Sequence, residues 1–461
     1  MFKPMMLFAT VVVVGSPAFA QPAPAESAPA AEASVAVPRE VLERYVGRYA
    51  LNGALVTVSV TEDGRLLAQL DGQPPGPPLR AVSENEFVAD AVGVRLWFEG
   101  EGPQATRIRS RYAGAEAIGT RIPEGADVAA AVAAGARMMA PPPPDPSLAR
   151  YISTKDAVRL PDGRMLNFVC MGEGSPTVIL TPGMGDFSGF SWRLVHAQMA
   201  TTTKVCAWDR PGYGMSDGSP VPQTVATTAA DLEAALATGR IPGPYVMVGH
   251  SLGAYESLLF ADRQRDRVVG MVLVDPSFPG QFVDQPPPPP GVVVSTPADR
   301  SAVLRQCAAD IRSGALQPGA PDPNNCLRFP PNYSVALSEA LTAKALANPL
   351  QFESQASFAQ SGEEGSRIVL NEGRNYGAMP LIVLSAEWVP PRWPPGISEE
   401  VIANVTAGHA RIELGHQALA KLSSGGVLQK VADANHYIQH TRPQVVIDAV
   451  EEVVGESRAT D

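Results

Sequence analysis

The sequence predicts an α/β domain, a mostly parallel sheet wrapped by helices and covered by an inserted cap, with a small all-β domain ahead of it. Three observations carry that prediction. From Ala149 onward, continuous Val/Ile/Leu runs alternate with helix-type text, the signature of strands buried on both faces. Between about Val41 and Ile122 the pattern is instead short strands with period-two alternation, cut by Asp-Gly turns. Within the first pattern, Gly249-His-Ser251-Leu-Gly253 puts a serine between two glycines, directly after an apolar strand-type run and directly before a helix-type run.

Length and composition agree with this reading. A chain of 461 residues exceeds one ordinary domain, and an apolar fraction of 45% is enough for a large core. The net charge of -11 is spread without long single-sign runs and without a Lys/Arg cluster, which argues against nucleic acid or an anionic membrane as partner.

The first twenty residues read as an export signal: Lys3, an apolar core from Met5 to Val14, Pro17, and a small-residue cleavage site at Ala18-Phe-Ala20. The apolar run is short for a membrane span, and no other segment qualifies, so the mature chain is expected to be periplasmic or secreted. Residues 21–38, rich in Ala, Pro and Ser, read as a disordered tether. Residues 39–123 then form the small β-domain, a barrel or sandwich. Val56, Val58 and Val60 alternate with Thr57, Ser59 and Thr61, and further strands are expected at Leu66–Leu70, Glu86–Val88, Val94–Phe98 and Thr106–Tyr112. Its opening, Leu42-Glu-Arg-Tyr-Val-Gly-Arg-Tyr49, resembles a small module appended to β-lactamase-like hydrolases. No catalytic or metal-type cluster lies in it, and its expected role is binding or spacing, with a partner the sequence does not name.

Residues 124–148 are an Ala/Pro-rich linker ending in an extended proline run. The α/β domain follows over 149–461. Strands are expected at Met165–Met171, Pro176–Thr181, Thr203–Trp208, Tyr245–Gly249, Val268–Val274, Met379–Leu384 and Gly426–Ala432. Helices are expected at Thr224–Thr238, Ala254–Arg263 and Pro443–Val454. The interval 276–376 breaks the alternation and reads as the cap. Export would give the four cysteines an oxidising compartment. Cys307 and Cys326 flank a Pro/Gly/Asn-rich loop, and Cys170 and Cys206 sit on runs that could be neighbouring strands. Bridges Cys307–Cys326 and Cys170–Cys206 are the expected pairing, with buried free thiols as the alternative.

The chemistry starts at Ser251. A serine on a sharp strand-to-helix turn has its Oγ lifted clear of the backbone, and a hydroxyl is a poor nucleophile unless it is exposed, oriented and paired with a base. The chain also holds Gly214-Met-Ser216-Asp-Gly218, but its Gly/Pro-rich surroundings make Ser216 a loop serine. With Leu180-Thr-Pro-Gly183-Met-Gly185, Asp209-Arg-Pro-Gly-Tyr-Gly214, Val272-Leu-Val-Asp275 and Asn435-His436-Tyr, five motifs occur in a set order. In that order they resemble the α/β-hydrolase superfamily, and within it bacterial exported esterase-like proteins with a Cys-x-Gly turn (Cys170-Met-Gly172) and a Val-Cys-Ala-x-Asp-Arg strand.

The resemblance implies a triad in the chain order Ser…acid…His. Of six histidines, only His436 ends an apolar strand late in the chain. His250 adjoins the serine and should point away from its Oγ. His196, His409 and His416 fall in helix-type text, and His440 lies a turn beyond. The acid, which orients the imidazole, is expected at Asp275, with Glu387 as the alternative: Asp275 is the shorter, stiffer side chain, whereas Glu387 follows the strand that carries the acid more commonly in the family. The oxyanion hole is expected from the N–H of Leu252 and one from the Gly183-Met184 turn, with Met184 preferred. Asp209-Arg210 reads as a brace behind the site.

The implied function is an exported serine hydrolase that cleaves carboxylic esters, or amides, through an acyl-enzyme on Ser251. It needs no cofactor and no metal and acts on a small-molecule ester. The same triad serves cofactor-free haloperoxidase-type activity. A non-catalytic binding or scaffold protein on this fold is the rival of another class, since fold alone does not establish activity.

Overall fold

The computed structural model describes residues 34–51, 54–71, 77–89, 94–100, 102–112, 115–132, 144–283, 296–330, 332–390 and 399–459. The expected signal segment, the tether as far as residue 33 and most of the proline run fall outside the described residues. Two compact units are present, within Val14–Pro142 and within Pro143–Asp461.

The first unit is one antiparallel eight-stranded sheet of β1 (Gly47–Leu51), β2 (Ala54–Val60), β3 (Leu66–Leu70), β4 (Arg80–Ala81), β5 (Glu86–Ala89), β6 (Val94–Glu99), β7 (Arg107–Tyr112) and β8 (Ala115–Arg121). Their order is β3-β2-β1-β8-β7-β6-β5-β4. The Leu79 N–H donates to the Leu66 carbonyl at 2.7 Å, tying the two edges together in the manner of a barrel. Alternation does the sorting: Val56 and Val58 are buried while Thr57 is exposed. Inside, Tyr45 stacks on Phe98 at 4.5 Å between ring centres, with Tyr49 and Phe87 set edge-on around them. The same alternation gathers Arg109 and Arg111 over Trp97, although no cluster is visible in the linear sequence. Arg109 lies 4.2 Å over the Trp97 ring, and Glu86 and Glu99 pair with Arg95, Arg107 and Arg109.

The second unit holds a seven-stranded sheet of β11 (Phe168–Met171), β12 (Thr177–Thr181), β13 (Val205–Trp208), β14 (Tyr245–His250), β15 (Val268–Val274), β16 (Leu381–Ala386) and β17 (Gly426–Val431), beside a two-stranded piece, β9 (Val158–Arg159) and β10 (Met165–Leu166). The order is β11-β13-β12-β14-β15-β16-β17; β11 runs antiparallel to β13, and every other pair is parallel. The residues of β12, β13 and β14 are buried throughout, as their unbroken apolar text requires. Helices α1 (Val225–Ala237), α2 (Gly253–Arg263), α7 (Glu399–Ala420) and α8 (Pro443–Ala459) cover the faces. The apolar residues form two large clusters: Val178, Leu180, Val246, Val248 and α8 belong to one, and Ile179, Met247, Met271 and Leu273 to the other.

Four helices stand between β15 and β16: α3 (Pro297–Ser313), α4 (Val335–Ala347), α5 (Leu350–Gln360) and α6 (Gly362–Ile368). Helix α3 begins with a reciprocal cap, Thr296 accepting from the Asp299 N–H and Asp299 accepting from the Thr296 N–H. Cys307 is bridged to Cys326 and packs with Ala308 and Phe352 in a small core of its own. The second bridge, Cys170–Cys206, joins directly opposed residues of β11 and β13.

Candidate active site

Ser251 follows the last residue of β14 and precedes α2, near the middle of the sheet. Its φ is +52°, a left-handed backbone that a β-substituted residue adopts at a cost and keeps only where its surroundings enforce it. Enforcement is visible. The Ser251 N–H donates to the Val274 carbonyl at 3.1 Å, and its carbonyl accepts from the Ser277 N–H at 2.9 Å. The two glycines permit the close crossing of strand and helix. A Cβ on Gly249 would stand 2.6 Å from the Gly253 carbonyl oxygen, and one on Gly253 would stand 2.6 Å from the carbonyl oxygens of Thr181 and Pro182.

His436 lies in the loop after β17, and Asp275 follows β15, the strand beside β14. Ser251 Oγ is 2.9 Å from His436 Nε2, and His436 Nδ1 is 2.7 Å from Asp275 Oδ2. A carboxylate oxygen accepts, so Nδ1 carries the proton toward Asp275 and Nε2 is free to accept from the Ser251 hydroxyl. The other Asp275 oxygen accepts from the Ala386 N–H at 2.9 Å, and the Asp275 N–H donates to Leu384 at 2.7 Å. Asp275 too is held at positive φ, +40°. The structure therefore brings Ser251, His436 and Asp275 into one hydrogen-bonded line and leaves Glu387 apart from it, exposed beyond the end of β16.

Leu252 and Met184 line the same cavity as Ser251 and His436. Among the described residues neither the Leu252 nor the Met184 N–H has an acceptor, so both are available to an oxygen lodged beside Ser251. The Pro182–Gly183 turn is held from behind by Arg210, which donates to the Pro182 carbonyl at 2.7 Å and the Gly183 carbonyl at 2.9 Å. Nε and Nη2 of Arg210 donate to Glu256, itself bonded by Thr228, and both charged side chains are wholly buried. Asp209 accepts from the N–H groups of Ser188 and Met215. Ser216 is buried in this loop, its Oγ donating to the Asp209 carbonyl and accepting from the Asn167 N–H.

A model of the alpha/beta hydrolase family matches residues 178–449, which include Ser251, Asp275, His436, Leu252, Met184 and the Arg210–Glu256 pair. The chain belongs to the alpha/beta hydrolase family. Among curated proteins, it is 41% identical over 90 residues to an uncharacterized protein of Schizosaccharomyces pombe, covering 20% of this chain and 17% of that one. It is 30% identical over 107 residues to the uncharacterized protein YqjL of Bacillus subtilis, covering 23% and 42%. The matched stretch thus spans less than half of either relative. Among solved structures, an epoxide hydrolase named CorEH has 18% identity and a TM-score of 0.46, over 65% of this chain and 98% of that one.

Around Ser251, this family member has residues whose roles were hidden in the sequence. His250 is buried, and its Nε2–H donates to the backbone carbonyl of His436 at 3.0 Å. Burial drives its pKa well below the ordinary histidine value, so the ring is neutral. Tyr437, next to His436, donates to Asp186 at 3.3 Å, and Ser191 donates to the same carboxyl at 2.9 Å. Burial pushes Asp186 up to about 6. His416, on α7, donates to the Pro276 carbonyl and accepts from Ser385, each at 2.8 Å, and so supports the loop that carries Asp275. His196 bonds Tyr151 and the Val205 carbonyl, His440 bonds the Phe190 carbonyl, and His409 stacks on Trp388. None of the three sits in the Ser251 cavity.

Proposed function

We propose that this member of the family is an exported serine hydrolase that cleaves carboxylic esters through an acyl-enzyme. The observation that carries the reading is the unbroken line Ser251 Oγ–His436 Nε2 and His436 Nδ1–Asp275 Oδ2, at 2.9 and 2.7 Å. In this mechanism Ser251 Oγ attacks the ester carbonyl carbon while His436 Nε2 takes its proton. The carbonyl oxygen becomes an oxyanion held by the N–H groups of Leu252 and Met184, at the positive N-terminal end of α2. Collapse breaks the bond to the alcohol oxygen, which leaves with the proton from His436. Water, deprotonated by the same nitrogen, then attacks the acyl-Ser251 ester, and the proton returns to Ser251 as the acid departs. Asp275 holds the imidazole in the tautomer this needs and stabilises it when charged.

A serine nucleophile argues against the epoxide and haloalkane hydrolysis that a nucleophilic aspartate performs. Two disulfides, Cys170–Cys206 and Cys307–Cys326, favour an oxidising compartment. Among the described residues no helix is long and apolar enough to cross a membrane. The test is hydrolysis of p-nitrophenyl esters by the full chain. Ser251→Ala should abolish it, and Asp275→Asn should lower kcat by about 10⁴-fold, the magnitude of the serine-protease template. Glu387→Gln should leave kcat within a few-fold. The reverse order of the last two variants would move the acid to Glu387, and an active Ser251→Ala would end the proposal.

A further inference from the structure

The space beside Ser251 is small and its walls are fastened from both sides. The cavity that Ser251, Leu252 and His436 share has a volume of about 30 Å³. That is narrow beside the ~300–1,000 Å³ of an ordinary small-molecule site. Its apolar wall is Met184, Phe282 and Ile412.

Ile412 rides on α7, which is stapled to the segment after Asp275. Arg411 donates to the Gly280 carbonyl at 2.7 Å, and His416 donates to the Pro276 carbonyl at 2.8 Å. Between them, Gly415 lets the helix lie on the Phe278 ring, where a Cβ would come within 2.2 Å of the ring carbons. From the opposite side, Tyr255 donates to the Phe278 carbonyl at 2.8 Å, and the Phe282 N–H donates to Ser366 at 3.1 Å. Met184 and Phe282 both close on Gly362 of α6, within 3.7 and 4.0 Å of the position its Cβ would take. A longer chain entering here would have to displace groups that are hydrogen-bonded or packed on two sides, and overpacking of that kind is costly.

Given the serine-esterase reading, on which this rests, we infer that this narrow space is the acyl pocket and that the substrates are esters of short acyl groups: formyl, acetyl or propionyl. The direction follows from the order of events. The alcohol must leave before water arrives, whereas the acyl group stays bonded to Ser251 from the first attack until water releases it and is the part that a narrow pocket can hold.

The test is a pair of matched series with the full chain: p-nitrophenyl acetate, butyrate and octanoate, and acetate esters of short and long alcohols. From acetate to octanoate, kcat/KM should fall at least tenfold, while the alcohol series should vary less than threefold. Ile412→Ala, at a half-buried site, should raise the octanoate-to-acetate ratio tenfold, and Phe282→Ala should act the same way. Octanoate turned over as well as acetate, stronger discrimination among alcohols than among acyl groups, or unchanged ratios in both variants would each overturn the inference while leaving the esterase reading intact. A chain that hydrolyses no ester and whose Ser251 does not react with a small phosphonofluoridate would overturn both.

Discussion

His250 donates its Nε2–H to the main-chain carbonyl of His436, so the residue before Ser251 holds the loop that carries the proposed base. The two rings stand 4.8 Å apart. This bond sets the height of the imidazole above Ser251 without touching any reacting atom. His250→Ala should therefore lower kcat by about 10–100-fold with KM nearly unchanged, since a displacement of about 1 Å in a positioned group costs on that order. Because burial keeps His250 neutral, the variant should lose no limb of the pH–rate profile. A variant with wild-type kcat, or one in which KM alone changes, would contradict the positioning role.

Arg210 and Glu256 make a second, more costly support. Removing one partner leaves the other charge wholly buried, a loss of about 3–5 kcal/mol, whereas replacing both with apolar residues of similar volume is often neutral. In denaturant melts, Arg210→Met should be destabilised by that amount, and Arg210→Met with Glu256→Leu should recover most of it. The double variant should still have reduced kcat, because the Pro182 and Gly183 carbonyls have lost their donor. Full recovery of both properties would show that the bracing of the turn is irrelevant.

Asp186 supplies a pH signature. Its carboxyl is raised from 3.8 to about 6 by burial, so the folded state holds a proton that the unfolded chain releases as pH rises through this window. Its contribution to stability is greatest below pH 3.8, declines between there and about 6, and is then level at a deficit of about 3 kcal/mol. Asp186→Asn should flatten that part of the stability-versus-pH curve, so that the variant gains on the wild type from pH 4 to pH 7. Parallel curves for the two proteins would refute it.

How much of this was legible in the linear text follows from the range of each interaction. Ser251 and the course of the parallel strands were readable because a glycine-flanked serine between an apolar run and a helix is a local pattern. His436 was readable through its order after the last strand. The acid stayed open between Asp275 and Glu387 because both end apolar strands. What separates them is the strand order, which sets β15 beside β14 and β16 one place farther off. The contacts of His250 with His436, of Tyr437 with Asp186 and of His416 with Pro276 join residues 186, 251 and 140 positions apart, and no local pattern encodes such pairs. The arginines around Trp97 were missed for a related reason: period-two spacing on β7 hides a cluster that appears only once β6 lies alongside.

The bridge between Cys307 and Cys326 ties α3 to the following loop in a region with little core of its own. Closing a loop of 19 residues constrains the unfolded chain by about 3 kcal/mol. Reduction, or Cys326→Ser, should lower the melting temperature and loosen this region first, as read by hydrogen exchange in α3 and α5. Non-reducing peptide mapping of protein recovered from the periplasm should find Cys307 joined to Cys326. Four alkylatable thiols in that preparation would contradict the exported, oxidised state.

The central claim is that Ser251 forms a covalent bond to the substrate's acyl group, and intact-mass analysis with a fluorophosphonate tests it most directly. The wild type should gain a single phosphonyl increment, and peptide mapping should place it on Ser251. His436→Ala should react far more slowly, and Ser251→Ala should not react at all. A label on Ser216, a label that persists in Ser251→Ala, or an unlabelled protein that nonetheless hydrolyses esters would contradict the account.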